Sequence, residues 1–211
     1  MAPDIAPLDQ ATADKLRRTS TATLATVLYI HGFKSRVVRG VHRLNPERGT
    51  MVGVARTLRY VAAREDLDSL ELWKRDSNPQ RRIADEIRPG EVLVIEARAD
   101  QSCGTMGGML VARMQVRGAA GIVSDAPFRD GPFIAGLEMP GYSSGMNANT
   151  NLIAHHPEEL DVTVTCGGVH VRPGDVVVGD AEGVIVIPRH LAEQVAAEAY
   201  TKEREEAFIE G

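Results

Sequence analysis

Apolar residues follow two rhythms along this chain. Short β-branched runs predict buried strands: Met51 to Val61 (with Val52, Val54, Thr57, Leu58, Tyr60 and Val61), Val92-Leu93-Val94-Ile95, Ala120 to Val123, Val176-Val177-Val178 and Gly183-Val184-Ile185-Val186-Ile187. Asp161-Val162-Thr163-Val164-Thr165 alternates and predicts a further strand. Helical spacing appears elsewhere. Leu16, Leu24, Val27, Leu28 and Ile30 surround a Thr19-Ser20-Thr21 break, which predicts two short helices, the second capped by Ser20 or Thr21 and stopped at Gly32. Met109 to Arg117 predicts a helix entered through Gly104-Thr105-Met106-Gly107-Gly108 and ended by Gly118, and Pro188 opens a terminal helix over His190 to Phe208. Between Arg64 and Ile87 only Leu67, Leu70, Leu72 and Trp73 serve as anchors, so a peripheral helix and loop are expected there.

One phrase recurs. Arg88-Pro89-Gly90-Glu91 leads into Val92 to Ile95 as Arg172-Pro173-Gly174-Asp175 leads into Val176 to Val178. Pro then Gly at the centre of a turn is the type II signature, so the two copies are read as equivalent corners of one sheet system. Val92 to Val123 reads strand, glycine loop, helix, strand, a βαβ-like crossover. The fold class is therefore strand-rich α/β, expected as a single domain over 1–211, with N-terminal helices at about 8–31, a core at about 50–188 and a C-terminal helix at about 189–209.

Composition narrows the function classes. Hydrophobic content of 43% and charged content of 25% fit an ordinary globular chain, and no apolar run reaches bilayer length, so no membrane partner is expected. The first residues, Met1-Ala2-Pro3-Asp4-Ile5, lack a basic segment followed by an apolar one, which makes a cytoplasmic location the expectation. Cys103 and Cys166 have neither metal-site nor disulfide spacing and are read as buried thiols. A net charge of -5 argues against nucleic acid as a partner, and the basic clusters Lys34 to Arg39 and Arg81-Arg82 are read as solvated surface.

The candidate chemistry lies after the Ala120 to Val123 run. Asp125, Arg129 and Asp130 follow a buried strand, where unpaired charge is costly; an Arg there suits a carboxylate or phosphate, and an Asp suits a hard cation. The Gly107-Gly108 helix entry offers free amides and a positive dipole end to an anion. Strand, loop, helix and strand bring both features to one carboxyl edge of the sheet. His155-His156 lacks acidic partners at ligand spacing and is read as surface or capping, and Ser143-Ser144 has no nucleophile context. Lys202-Glu203-Arg204-Glu205-Glu206 is read as a helix face whose carboxylates could also reach a neighbouring subunit.

The run Arg117 to Asp130, with Pro89 to Ile95 upstream and Pro173 to Val184 downstream, resembles the RraA-like family from about Ser20 to the C-terminus. That family includes class II 4-hydroxy-4-methyl-2-oxoglutarate/4-carboxy-4-hydroxy-2-oxoadipate aldolases and the ribonuclease E inhibitor RraA, and its members were often labelled demethylmenaquinone methyltransferases. The resemblance implies an α-β-β-α sandwich of the swivelling type, assembled as trimers or hexamers with sites between subunits. It implies a Mg²⁺- or Mn²⁺-dependent lyase that cleaves or decarboxylates a small 2-oxo acid through a pyruvate enolate, with oxaloacetate among the candidate substrates. In this reading Asp130 holds the metal and Arg129 contacts the oxo acid. The loop Gly107, Gly108, Met109 and Leu110 binds its carboxylate, Asp125 braces the turn within the catalytic group, and Glu203, or second Glu206, reaches the site from the next subunit. The aldolases often carry an acid where this chain has Gly108. The alternative is a non-catalytic regulator binding ribonuclease E or another protein; the inhibitor that names the family does not keep the Asp found here as Asp130.

Overall fold

The computed structural model describes residues 5–210. The expected N-terminal pair of helices is present: α1 (Gln10–Arg17) is capped by Asp9, and α2 (Thr21–Ile30) is capped by Ser20, whose hydroxyl accepts from the Thr23 amide at 3.1 Å. Gly32 then takes φ 86°, open to glycine without strain. A short β1 (His42–Arg43) precedes the long β2 (Met51–Ala62), the organising strand of the sheet. Helices α3 (Leu70–Trp73) and α4 (Pro79–Glu86) lead to β3 (Glu91–Glu96). Next come α5 (Gly108–Val116), β4 (Gly121–Ser124), α6 (Gly131–Ala135) and β5 (Gly141–Ser143). The chain ends with β6 (His155–Leu160), the hairpin β7 (Val164–Cys166) and β8 (Val169–Val171), β9 (Val176–Gly179), β10 (Val184–Ile187) and α7 (Ala192–Glu210).

Among the described residues the main sheet has eight strands, ordered β1-β5-β4-β3-β2-β9-β10, with β6 also paired to β2. The recurrent turns sit as expected. Gly90 and Gly174 have φ 80° and 90°, and the acids after them close the turns, Glu91 Oε2 on the Arg88 amide at 2.8 Å and Asp175 Oδ2 on the Arg172 amide at 3.0 Å. The strands they feed, β3 and β9, flank β2 on either side, one parallel and one antiparallel.

Alternation explains why these strands are apolar throughout. In β3, Leu93 and Ile95 pack under α4 and α5, whereas Val92 and Val94 face the β7–β8 hairpin. In β10, Ile185 and Ile187 pack against α1, α2 and α7, while Val184 and Val186 face the hairpin side. Helices thus cover one face and the small second sheet the other, the mixed α/β architecture expected.

Four local expectations change. The predicted strand Asp161 to Thr165 divides: Asp161 has φ 57° and ends β6, and β7 starts only at Val164. Asp161 instead clamps Arg56, which is fully buried in β2, through contacts of 2.6 and 2.7 Å, with Glu91 3.2 Å away. His155 and His156 lie in β6, not on a capping turn, because β6 pairs with β2 there. His155 is fully buried beside the Tyr60 ring, and His156 Nδ1 meets Asp68 at 2.7 Å. The stretch before Ile87 is less peripheral than its polarity suggests, since Asn78 caps α4 and Gln80, Ile83, Ala84 and Ile87 are buried on one face. Arg36 is also only partly solvated: its Nε donates to the Val186 carbonyl at 2.8 Å. Cys103 and Cys166 are buried free thiols, and no helix among the described residues is long and apolar enough to cross a membrane.

Candidate active site

β3 and β4 run parallel and adjacent, with Val92 opposite Gly121, so their carboxyl ends deliver two loops to one edge. Loop 97–107 ends at Gly107, the N-cap of α5, which has no side-chain cap. Loop 125–130 ends at Asp130. Backbone bonds lock the two together: Thr105 N donates to Pro127 O at 2.8 Å, and Arg129 N to Met106 O at 3.0 Å. The packing leaves no room for a side chain at Gly104, where a Cβ would lie 2.6 Å from the Arg129 amide nitrogen.

Asp130 carries the most informative geometry. Its φ of 60° is left-handed, unusual for a residue with a Cβ, and its side chain does not cap α6, which it precedes. Asp130 Oδ2 instead accepts from the Gly108 amide at 3.0 Å, while Oδ1 lies 3.8 Å from Arg129 Nε. Both side chains remain about half exposed, at 50% for Arg129 and 47% for Asp130. The amides of Gly107 and Met109 have no protein acceptor among the described residues. One carboxylate, one guanidinium and an uncapped helix start therefore meet at the mouth of a cavity of about 290 Å³.

The candidate residues Gly107, Met109, Leu110, Arg129 and Asp130 line the cavity together with residues the sequence did not assign to a site: Leu70 and Trp73 from α3, Gln80 from α4, and Gly104, Thr150, Asn151 and Leu152. Gln80 and Asn151 form a buried floor, with Asn151 Nδ2 donating to Gln80 Oε1 at 2.8 Å and Gln80 Nε2 donating to Thr105 O at 3.2 Å. A polar residue on the face that Gln80 shares with Ile83, Ala84 and Ile87 was the available signal.

Three expected site residues are placed elsewhere in the chain. Asp125 does not line the cavity. It is 7% exposed, and its Oδ1 accepts from Ala97 N at 2.7 Å, next to Arg98 and Ala99 in left-handed conformations. Burial raises its carboxyl above the ordinary range, with the Ala97 amide pulling it back. The geometry is that of a brace on the loop. Glu203 Oε2 accepts from Ser20 Oγ at 3.3 Å and Ser20 N at 3.4 Å at the start of α2, and Glu206 lies 4.0 Å from Lys202. Neither reaches the cavity of its own chain.

Gly108 is explained by packing. A Cβ there would lie 2.5 Å from Phe133 Cδ1 and 3.3 Å from Asp130 Cβ, so the Phe133 ring occupies the space that a side chain would need. Among the described residues no group of three His, Cys, Asp or Glu side chains could share a metal ion. The donor set at the cavity is the single Asp130 carboxylate, which fits a hydrated Mg²⁺ or Mn²⁺ and not the three- or four-ligand site of zinc.

A protein of Halalkalibacterium halodurans, provisionally named a 4-hydroxy-4-methyl-2-oxoglutarate aldolase, is 32% identical over 163 residues, covering 76% of this chain and 70% of its own length. The crystal structure of Streptomyces coelicolor RraAS2, titled an unusual member of the RNase ES inhibitor RraA protein family, superposes with a TM-score of 0.85 at 32% identity over 97% of this chain and 98% of its own. An uncharacterised Pseudomonas syringae protein shares the fold, with a TM-score of 0.83 at 22% identity over 98% and 90% of the two chains. The family profile described as RraA-like, Aldolase/RraA, matches residues 21–186. With that match over most of its length, the chain belongs to the RraA-like family.

Proposed function

We propose that this chain is a divalent-metal-dependent lyase that cleaves or decarboxylates a small 2-oxo acid and releases pyruvate. The observation that carries the reading is Asp130: a left-handed, half-exposed carboxylate held by the Gly108 amide beside Arg129, at an uncapped helix start. The provisional aldolase name of the H. halodurans relative supports it.

Asp130 would hold Mg²⁺ or Mn²⁺, which when bound supplies Lewis-acid polarisation of the 2-oxo group. The substrate carboxylate docks on the Gly107 and Met109 amides, where the α5 dipole favours negative charge. The Arg129 guanidinium then lies where the oxygen of the 2-oxo group gains charge, and a fixed cation stabilises that charge more in the transition state than in the ground state. In aldol cleavage a base removes the proton of the C4 hydroxyl and the C3–C4 bond breaks. Its electron pair enters the enolate of pyruvate, and C3 is then protonated. In decarboxylation the same bond electrons remain as CO2 departs. Glu203, or second Glu206, of an adjacent subunit in a trimer or hexamer is the proposed proton carrier; neither reaches the site within one chain.

Pyruvate release from oxaloacetate and from 4-hydroxy-2-oxo acids, with and without Mg²⁺ or Mn²⁺, tests the reading. Metal-dependent turnover of at least one of them is expected, and turnover of none sinks it. The likeness to RraAS2 over nearly the whole chain favours a second reading, a regulator of ribonuclease E. Saturable binding to ribonuclease E by a chain inert toward every 2-oxo acid would select that alternative.

A further inference from the structure

Thr105 is a fully buried polar residue in the loop that leads to the α5 start, and each of its polar atoms is bonded. Its amide and its hydroxyl both donate to Pro127 O, at 2.8 and 3.0 Å. With the Thr105 proton given to Pro127, the buried Ser124 supplies the proton of the 3.1 Å contact between the two hydroxyls. Ser124 Oγ in turn accepts from Ala126 N at 3.2 Å. On the other side the Thr105 carbonyl accepts twice, from the Tyr60 hydroxyl at 2.9 Å and from Gln80 Nε2 at 3.2 Å. Burial raises the Tyr60 hydroxyl well above its ordinary range, so it stays a donor. Thr105 does not line the cavity, and each of these contacts is buried within one chain.

Thr105 stands two residues before Gly107, and Pro127 two residues before Arg129, so their contacts space the amide cradle from the guanidinium and the carboxylate. A methyl group in place of the hydroxyl would sit about 3.3–3.6 Å from an oxygen, against 3.0 Å here, and would press the two loops apart. Ser124 would lose its acceptor as well, in a buried setting where an unpaired hydroxyl is costly. We infer that Thr105 is a positioning residue of this site: its hydroxyl sets the separation between the Gly107 amide cradle and the Arg129–Asp130 pair, backed by Tyr60 and Gln80. The inference rests on the proposed function and deepens it, because it names a group outside the cavity that fixes the geometry inside it.

Steady-state kinetics of pyruvate release from oxaloacetate or a 4-hydroxy-2-oxo acid with magnesium, beside thermal melts, test it in Thr105→Val, Thr105→Ser and Tyr60→Phe. Valine keeps the branched shape without the hydroxyl; serine keeps the hydroxyl without the methyl. KM is expected to rise about tenfold in Thr105→Val and to return to within about threefold of wild type in Thr105→Ser, because a small misplacement of docking groups is enough to cost this much. A purely structural threonine would make both variants lose activity in step with their melting temperatures. A wild-type KM in folded Thr105→Val, or a serine variant as impaired as the valine one, overturns the proposal. If Thr105→Val does not fold, Tyr60→Phe decides, since it keeps the ring and removes one donor from the Thr105 carbonyl: a raised KM supports the proposal, and a wild-type KM overturns it. A wild-type chain that turns over no 2-oxo acid overturns the proposed function itself and this inference with it.

Discussion

Single positions show how tightly this site is built. At Gly108 the Phe133 ring leaves no room for a Cβ, so Gly108→Ala is expected to cost about 1–3 kcal/mol by overpacking. In a Phe133→Ala background the cost should largely vanish, and a double-mutant cycle in urea measures the coupling. A buried histidine gives a second test. Burial pulls the His155 imidazole below its ordinary value of 6.5, so the folded chain binds fewer protons there than the unfolded chain. Its contribution is complete above that value and is lost as pH falls through the lowered one. Thermal melts should show stability declining on the acid side. His155→Phe should flatten that decline while keeping an aromatic ring beside Tyr60; it gives up the 3.4 Å contact between His155 Nδ1 and Arg98 Nη2, whereas Nε2 has no partner among the described residues. The same slope in both proteins would assign the acid sensitivity to other groups.

Elements were legible where rhythm and punctuation agreed. The Pro-Gly turns, the Ser20 cap and the Gly107 entry each have a local cause, and each stands where the sequence places it. Legibility failed where pairing decides. β6 and β7 share no local signal that separates them, since the break at Asp161 comes from its clamp on Arg56, 105 residues away. Trp73 and Asn151 join the cavity through contacts that periodicity does not encode, and Asp125 turns toward Ala97 despite its place in the Asp125 to Asp130 run. The loop pair is the element most sensitive to change. Gly104→Ala would press on the Arg129 backbone, not on a flexible tip, so it is expected to raise KM about tenfold or more through displaced Arg129. Unaltered kinetics in this variant would show that the loops yield without moving the guanidinium.

At the scale of the whole molecule, the cavity and the C-terminal carboxylates are separated within one chain. Glu203 rests on Ser20 beside the cluster of α1, α2 and α7, while Asp130 sits at the starts of α5 and α6, over a separate cluster on the same face of the sheet. The proposed site, completed between subunits, would account for both placements. Mixed oligomers of Asp130→Ala and Glu203→Ala subunits should recover part of the activity that each variant lacks alone, because some interfaces then unite two intact halves. No recovery after confirmed subunit exchange would remove Glu203 from the shared site.

The central claim, that Asp130 and Arg129 support an enolate of pyruvate, can be tested without knowing the physiological substrate. The most direct measurement is hydrogen–deuterium exchange at the methyl group of pyruvate in D2O, followed by proton NMR with magnesium present. The wild-type chain is expected to accelerate exchange, and Asp130→Ala is expected to reduce it about a hundredfold or more. Exchange no faster than in protein-free buffer, or equally fast with Asp130→Ala, would contradict the account.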